Sequence, residues 1–244
     1  MKSFSILAIA MSTLMPLGHA AGAPLVAIDA GHTLSARGAK AAGDGRDELL
    51  FNVELARDVA AKLAERRIGA RMANDPPRSK ESFKDRVSAG NGADFFLSIH
   101  HDSAAAKDLT QVSDANGRRW EDKAGKFKGF SIFVDPSDSL GVSCARAIGA
   151  AMIRIGESPS RYHADPSFGE ARPFVDEATG VHAFPGLAVA RLRKTSMALL
   201  EAGVIVNPEE SARLRTPATR AAIAGAVASG LASCMPAPKP RPMK

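Results

Sequence analysis

The sequence predicts an α/β fold: a single domain whose mixed, mostly parallel sheet is flanked by helices on both faces. Three observations carry that reading. Short apolar runs at 25–29, 95–100 and 197–201 are bounded by polar residues, as buried strands are. Stretches with apolar residues at helical spacing lie between them, and alternation of strand and helix favours a parallel sheet. Each run also ends in Gly, His or Glu, which puts chemistry-bearing side chains at the carboxyl edge of the sheet, where open α/β folds place their ligands. At 244 residues and 45% hydrophobic, the chain has enough material for one substantial core.

In chain order, Lys2, the apolar stretch 4–17 and Gly18-His19-Ala20 read as an export signal over residues 1–20. The apolar part is too short for a stable membrane span, and Ser12, Thr13 and Pro16 interrupt it, so an uncleaved anchor is the weaker alternative. The domain proper is assigned to 21–234. Its first strand, 25–29, leads through Gly31-His32 into a loop at 33–46. A helix over 48–67 follows, with Leu49, Val53, Ala56, Val59, Ala60 and Leu63 on one face and Arg66 and Arg67 in a last turn that Gly69 closes. Residues 70–72 form a short strand, Asp75-Pro76-Pro77 a turn and 80–89 a helix, leading to the apolar strand 95–100.

Residues 102–128 read as polar and irregular, 129–134 as a strand and 140–155 as a helix. Residues 157–185 have no usable period and are rich in Pro, Gly and charge, which suggests a rim or lid over the site, with plain surface disorder as the alternative. Strands at 187–190 and 197–201 and an Ala-rich helix over 208–232 complete the domain. The tail 235–244 alternates Pro with Lys and Arg and is expected to be disordered.

The net charge of +6 becomes +5 without Lys2, which attracts polyanions in general. No helix-turn-helix, finger or aromatic-basic platform supports nucleic-acid binding, and export argues against it. An anionic cell envelope suits the charge better. Cys144 and Cys234 lack metal-ligand spacing; in an exported protein a disulfide between them and two separate buried thiols are both open.

The strand ends bring His32, His100 and Glu201 to one sheet edge, and Glu48, in the first turn of a helix, starts beside it. Two imidazoles and a carboxylate are a suitable ligand set for a hydrolytic zinc, which needs three protein ligands and one open position for water. A further carboxylate outside that set, such as Glu201, can take the proton of the attacking water. The competing reading is that each is a hydrogen-bonded structural residue at a strand end.

Four motifs in order, Asp29-Ala30-Gly31-His32, Glu48 with Asn52, Ser98-Ile99-His100, and Glu201-Ala202-Gly203-Val204-Ile205-Val206-Asn207 with Glu209 and Glu210, resemble those of the zinc-dependent N-acetylmuramoyl-L-alanine amidases of the Amidase_3 (AmiC-like) family. The resemblance extends from Val26 to about Glu210. It implies one zinc ion held by His32, Glu48 and His100, with Glu201 as general base. It implies hydrolysis of the amide between N-acetylmuramic acid and the L-alanine of the peptidoglycan stem peptide, in cell-wall turnover or daughter-cell separation. Ala30 stands where the family usually has Pro, Thr33 where it has Gly, Leu49 where Lys is frequent and His101 where Ala is common.

His101 is read as an outward-facing neighbour of His100, a candidate substrate contact or support, because successive strand residues point to opposite faces. Arg191 and Asn207 are further candidates for positioning substrate or the metal site. In some relatives a segment comparable to 157–185 covers the zinc until a partner protein moves it, so His163, Glu170, Glu177 and His182 are candidate lid contacts. The expected partners are peptidoglycan and an activator protein, the expected state is a monomer and the expected location is periplasmic or otherwise exported. Two alternatives compete: a zinc carboxypeptidase or other amide hydrolase acting on envelope peptides, and an inactive peptidoglycan-binding module.

Overall fold

The computed structural model describes residues 22–77, 83–88, 90–186 and 195–235. The export signal at 1–20, the strand expected at 187–190, Arg191 and the tail beyond Met235 lie outside the described residues. In chain order the elements are β1 (Leu25–Ala30), α1 (Glu48–Ala64), β2 (Gly69–Met72), α2 (Phe83–Ser88), β3 (Phe95–Asp102), β4 (Thr110–Asp114), β5 (Gly117–Glu121), β6 (Ser131–Val134), α3 (Ser139–Arg154), β7 (Phe174–Asp176), β8 (Val181–Ala183), β9 (Met197–Val204), α4 (Pro208–Leu214) and α5 (Pro217–Cys234).

Seven strands form one sheet in the order β2-β1-β3-β9-β6-β8-β7. The first four run parallel, β6 is antiparallel to β9, β8 is parallel to β6 and β7 turns back along β8. The sheet is therefore mixed and mostly parallel. His100 and Glu201 are direct cross-strand partners, so the two longest strands deliver their functional residues side by side.

The larger core lies on one face, where Ile28, Leu97, Ile99 and Leu200 of the sheet meet Leu49, Leu55 and Val59 of α1, Ile148 and Met152 of α3, and Val227 and Leu231 of α5. Each such side chain, fully buried, contributes about 1.5–3 kcal/mol. The other face carries a smaller cluster, in which Val87 of α2 joins Ala27, Phe96, Phe133, Met197 and Leu199. A disulfide joins Cys144 of α3 to Cys234 of α5, resolving the two open readings of the cysteines.

Three local expectations are corrected. Residues 102–128 are not irregular throughout, because β4 and β5 pair antiparallel around an Ala115-Asn116 turn followed by Gly117 at φ 91°. The Asn116-Gly117 pair is a hairpin signal, but the flanking residues are polar and lack the alternating apolar pattern that usually marks the strands. Residues 157–185 hold β7 and β8, which extend the main sheet by two strands too short to show a period. The closing helix over 208–232 is two helices. Asn207 caps α4 through its side chain, and Thr216 caps α5, whose first residue, Pro217, has no N–H to continue the helix before it.

Candidate metal centre and active site

The site is built on a buried polar floor beneath the carboxyl ends of β1 and β3. Asp29 accepts two hydrogen bonds from Arg86, at 2.8 and 2.6 Å, and a third from Ser98 at 2.9 Å. All three residues are buried, and so fully bonded a charge pair fixes the position of the strand ends. Asn74 bridges the carbonyls of Ala30 and His32 through its amide nitrogen at 2.8 and 2.7 Å. That bridge holds His32 at φ 73°, a left-handed conformation costing a non-glycine residue about 1–2 kcal/mol. Gly31 precedes it because a Cβ there would lie 2.3 Å from the His100 ring.

Above this floor His32, Glu48 and His100 converge, with donor atoms within 4.8 Å of one another. Glu48 Oε1 lies 2.9 Å from His32 Nε2 and 3.1 Å from His100 Nδ1. The other Glu48 oxygen accepts the Ala39 N–H at 3.1 Å, leaving Oε1 turned to the imidazoles. Burial opposes ionisation of Glu48, but hydrogen bonds from His100 and His32 outweigh it and hold the carboxyl well below its ordinary range.

Asn52, one turn along α1, donates to Glu48 Oε1 and to the Gly31 carbonyl, both at 3.3 Å, and its own oxygen meets His101 Nδ1 at 2.8 Å. His101 is thus not outward-facing. It is 3% exposed, packed beside Phe51, and burial pushes its imidazole down to about 3, so it is neutral. Its side chain leaves the strand on the side opposite His100, as the pleat requires, but α1 covers that side.

Glu201 stands beside His100 on β9. Burial first, then the charges of Asp102 and Glu48, push its carboxyl well above the ordinary value, and its Oε2 is buried without a hydrogen bond among the described residues. Asp102 bonds His163 at 2.6 Å, and the Tyr162 hydroxyl donates to the Ser103 carbonyl at 2.6 Å. Burial and the Asp102 charge raise the Tyr162 hydroxyl, keeping it a neutral donor. With Phe168 these groups wall an open cleft of about 420 Å³ that has His32, Glu48, His100 and Glu201 on its floor.

The other residues singled out in the sequence are employed elsewhere. Asn207 is 2% exposed and fully used, accepting from Glu209 N and Glu210 N and donating to the Phe127 carbonyl, so it caps a helix and does not reach substrate. His163 lines the cleft but bonds Asp102 rather than the donor group. Glu170 is exposed and pairs with Arg172, and Glu177 pairs with Arg161. His182 is buried, with Nδ1 on the Arg172 carbonyl at 2.8 Å. None of these four candidate lid contacts bonds to His32, Glu48 or His100. Asp102 and Tyr162 were not expected in the site. Asp102 follows His100 and His101 directly at the end of the same strand and was legible there; Tyr162 carries no signal, because it arrives through a long connection.

Two bonds of about 2.0–2.1 Å to a tetrahedral metal ion place ligand atoms roughly 3.3 Å apart. The separations at Glu48 suit that spacing, and a set of two imidazoles and one carboxylate suits a divalent transition metal. The sequence also matches, over residues 26–233, the Amidase_3 model, described as N-acetylmuramoyl-L-alanine amidase. The chain belongs to the Amidase_3 family. The family's reaction is hydrolysis of the amide between N-acetylmuramic acid and L-alanine in peptidoglycan, and the protein is an enzyme of that class. No curated protein matches in sequence.

Solved structures agree on the fold. Ami1 from Mycobacterium smegmatis, an N-acetylmuramyl-L-alanine amidase, gives a TM-score of 0.66 at 18% identity, covering 88% of this chain and 98% of its own. AmiC2 of Nostoc punctiforme gives 0.63 at 21% identity, covering 87% and 97%. The CwlD amidase of Clostridioides difficile, solved in complex with the GerS lipoprotein, gives 0.61 at 14% identity, covering 85% and 96%.

Proposed function

We propose that the protein is an exported zinc amidase in which His32, Glu48 and His100 hold one zinc ion and Glu201 handles the proton. The observation that carries this is the convergence of those three donors at the floor of an open cleft, with a buried Glu201 oxygen, unbonded among the described residues, on the adjoining strand. A zinc ion held there would supply a Lewis acid for the scissile carbonyl and an acidified water.

The chain's own residues do the rest. Glu48 stays ionised and so remains a ligand at neutral pH. Asn52 orients Glu48 and bonds His101, whose burial keeps it neutral, so His101 adds no positive charge to compete with the metal. Glu201, whose raised carboxyl takes up a proton readily, accepts one from water at its free oxygen and returns it to the departing L-alanine nitrogen. Asp102, tied to His163, keeps negative charge near Glu201 and strengthens its hold on that proton. The open cleft supports activity without displacement of a lid by an activator, although an activator acting elsewhere is compatible with it. The signal-like residues 1–20 and the polymeric substrate support a periplasmic or other extracytoplasmic location.

The test is digestion of purified peptidoglycan by the mature chain alone, with and without a chelator. The expected products are intact stem peptides bearing a free L-alanine amino terminus, released only in the presence of metal. Release of free D-alanine with the lactyl amide intact would favour the carboxypeptidase reading, and activity that appears only after an added partner would restore the lid.

A further inference from the structure

A second cleft, of about 250 Å³, opens beside the catalytic one and shares Ser103 and Ala104 with it. Its near end is Gly38 and Ala39, the segment wrapped over the metal donors. A Cβ on Gly38 would lie 2.4 Å from Glu48 Oε2, and the Ala39 N–H is bonded to that same oxygen. Its far wall is β5. The two clefts therefore adjoin at Ser103 and Ala104, and a track from the metal donors to the β4–β5 hairpin would cross those two residues.

The hairpin is built to present one face to that track. Arg119 points inward, 5% exposed, and is neutralised by Asp114 and Glu121. Alternation along the strand puts Arg118 and Trp120 on the opposite side, where both are exposed, and both line the cleft together with Arg119. The strand is anchored to the domain by Gly43 N on Glu121, by Asn116 on the Gly43 carbonyl and by Asp122 N on the Val206 carbonyl. Lys40 is paired with Asp47, whereas Arg118 has no acidic partner among the described residues. The wall thus offers one uncompensated guanidinium beside an indole that is 41% exposed.

The substrate has two halves. The glycan is uncharged near the scissile bond, while the stem peptide that leaves with L-alanine carries free carboxylates. Gly38, Ala39, Ser103, Ala104 and Ala106 leave room for a main chain with small side chains. A lone arginine matches a carboxylate in geometry and charge. We propose that this cleft is the stem-peptide subsite, with Arg118 pairing with a carboxylate of the peptide and the Trp120 ring lying against its chain. The proposal rests on the amidase reading and says which half of the substrate lies on which side of the metal.

Trp120 is the only tryptophan in the chain, so its emission reports on this cleft directly. The experiment titrates the mature Glu201→Gln chain with three probes. These are the tripeptide L-Ala-γ-D-Glu-L-Lys, the same peptide with both of its carboxylates amidated, and a GlcNAc–MurNAc disaccharide with its lactyl group capped as the amide. A saturable change is expected with the tripeptide, about tenfold weaker binding with the amidated form, and none with the disaccharide. Arg118→Gln should weaken tripeptide binding about tenfold and Arg118→Lys should recover part of it. Circular dichroism of the variants serves as the folding control.

Equal affinity for the two peptides, tripeptide affinity unchanged in Arg118→Gln, a response to the disaccharide alone, or no response to millimolar tripeptide would each overturn the subsite. Failure of the amidase reading looks different. A chain that binds the tripeptide through Arg118 but releases no stem peptide from peptidoglycan keeps the subsite and loses the activity.

Discussion

Two pairs of imidazoles sit within the same half of the molecule, and they have been put to opposite uses. His32 and His100 rise from adjacent parallel strands over a floor of fully bonded polar groups, and both turn a nitrogen to one oxygen of Glu48. His163 and His182 come from the 157–185 connection and are spent on neighbours: His163 on Asp102, His182 on the Arg172 carbonyl, both in ring contact with Phe133. Residue type does not separate the pairs. What separates them is whether a ring nitrogen is tied to a neighbour in the wall or aimed at a shared point. The first pair is proposed as ligands, and the second is part of a wall.

The contrast breaks if removing either pair has the same effect. His100→Ala or Glu201→Gln should lower stem-peptide release by at least about a thousandfold in a digestion assay, with the far-ultraviolet circular dichroism unchanged. Next in size is the floor under the first pair. Asp29→Ala removes the carboxylate that takes two hydrogen bonds from the buried Arg86 guanidinium, and urea unfolding should report a loss of about 3–5 kcal/mol.

A third effect concerns His101, buried between the two uses. Its folded value is about 3, below the unfolded 6.5, so the unfolded chain binds the extra proton and stability falls as pH drops from 6.5 toward 3. In chelator-treated protein this amounts to about 2 kcal/mol between pH 7.5 and pH 5, and most of it should be absent in His101→Gln. The smallest effect belongs to the wall. His163→Phe keeps the edge-to-face contact with Phe133 and loses the bond to Asp102, and should cost roughly tenfold in kcat/KM while metal content stays at the wild-type level.

Legibility in the sequence followed the same division. The ligand strands were readable because parallel strands buried on both faces are written as unbroken apolar runs, and the residue that ends the run names the chemistry at the edge. Glu48 was readable because it opens a helix with clear apolar spacing. Of the wall only the segment was readable, as a rim over 157–185, because the contacts of Tyr162, His163 and Phe168 are set by tertiary packing of a connection whose strands are three residues long. His101 was misplaced for a related reason: pleat alternation gives a side but does not say what covers it, and here α1 does. Asn207 was readable as part of a motif but not as a cap, since its role depends on the backbone of Glu209 and Glu210.

The most direct measurement is metal content per chain, by elemental analysis of the mature protein and of His32→Ala, His100→Ala and His163→Ala purified side by side. The proposed roles require one zinc ion in the wild type and in His163→Ala, and a large loss in the other two. Full retention in His32→Ala and His100→Ala, or loss in His163→Ala alone, would contradict them and move the metal to the other pair.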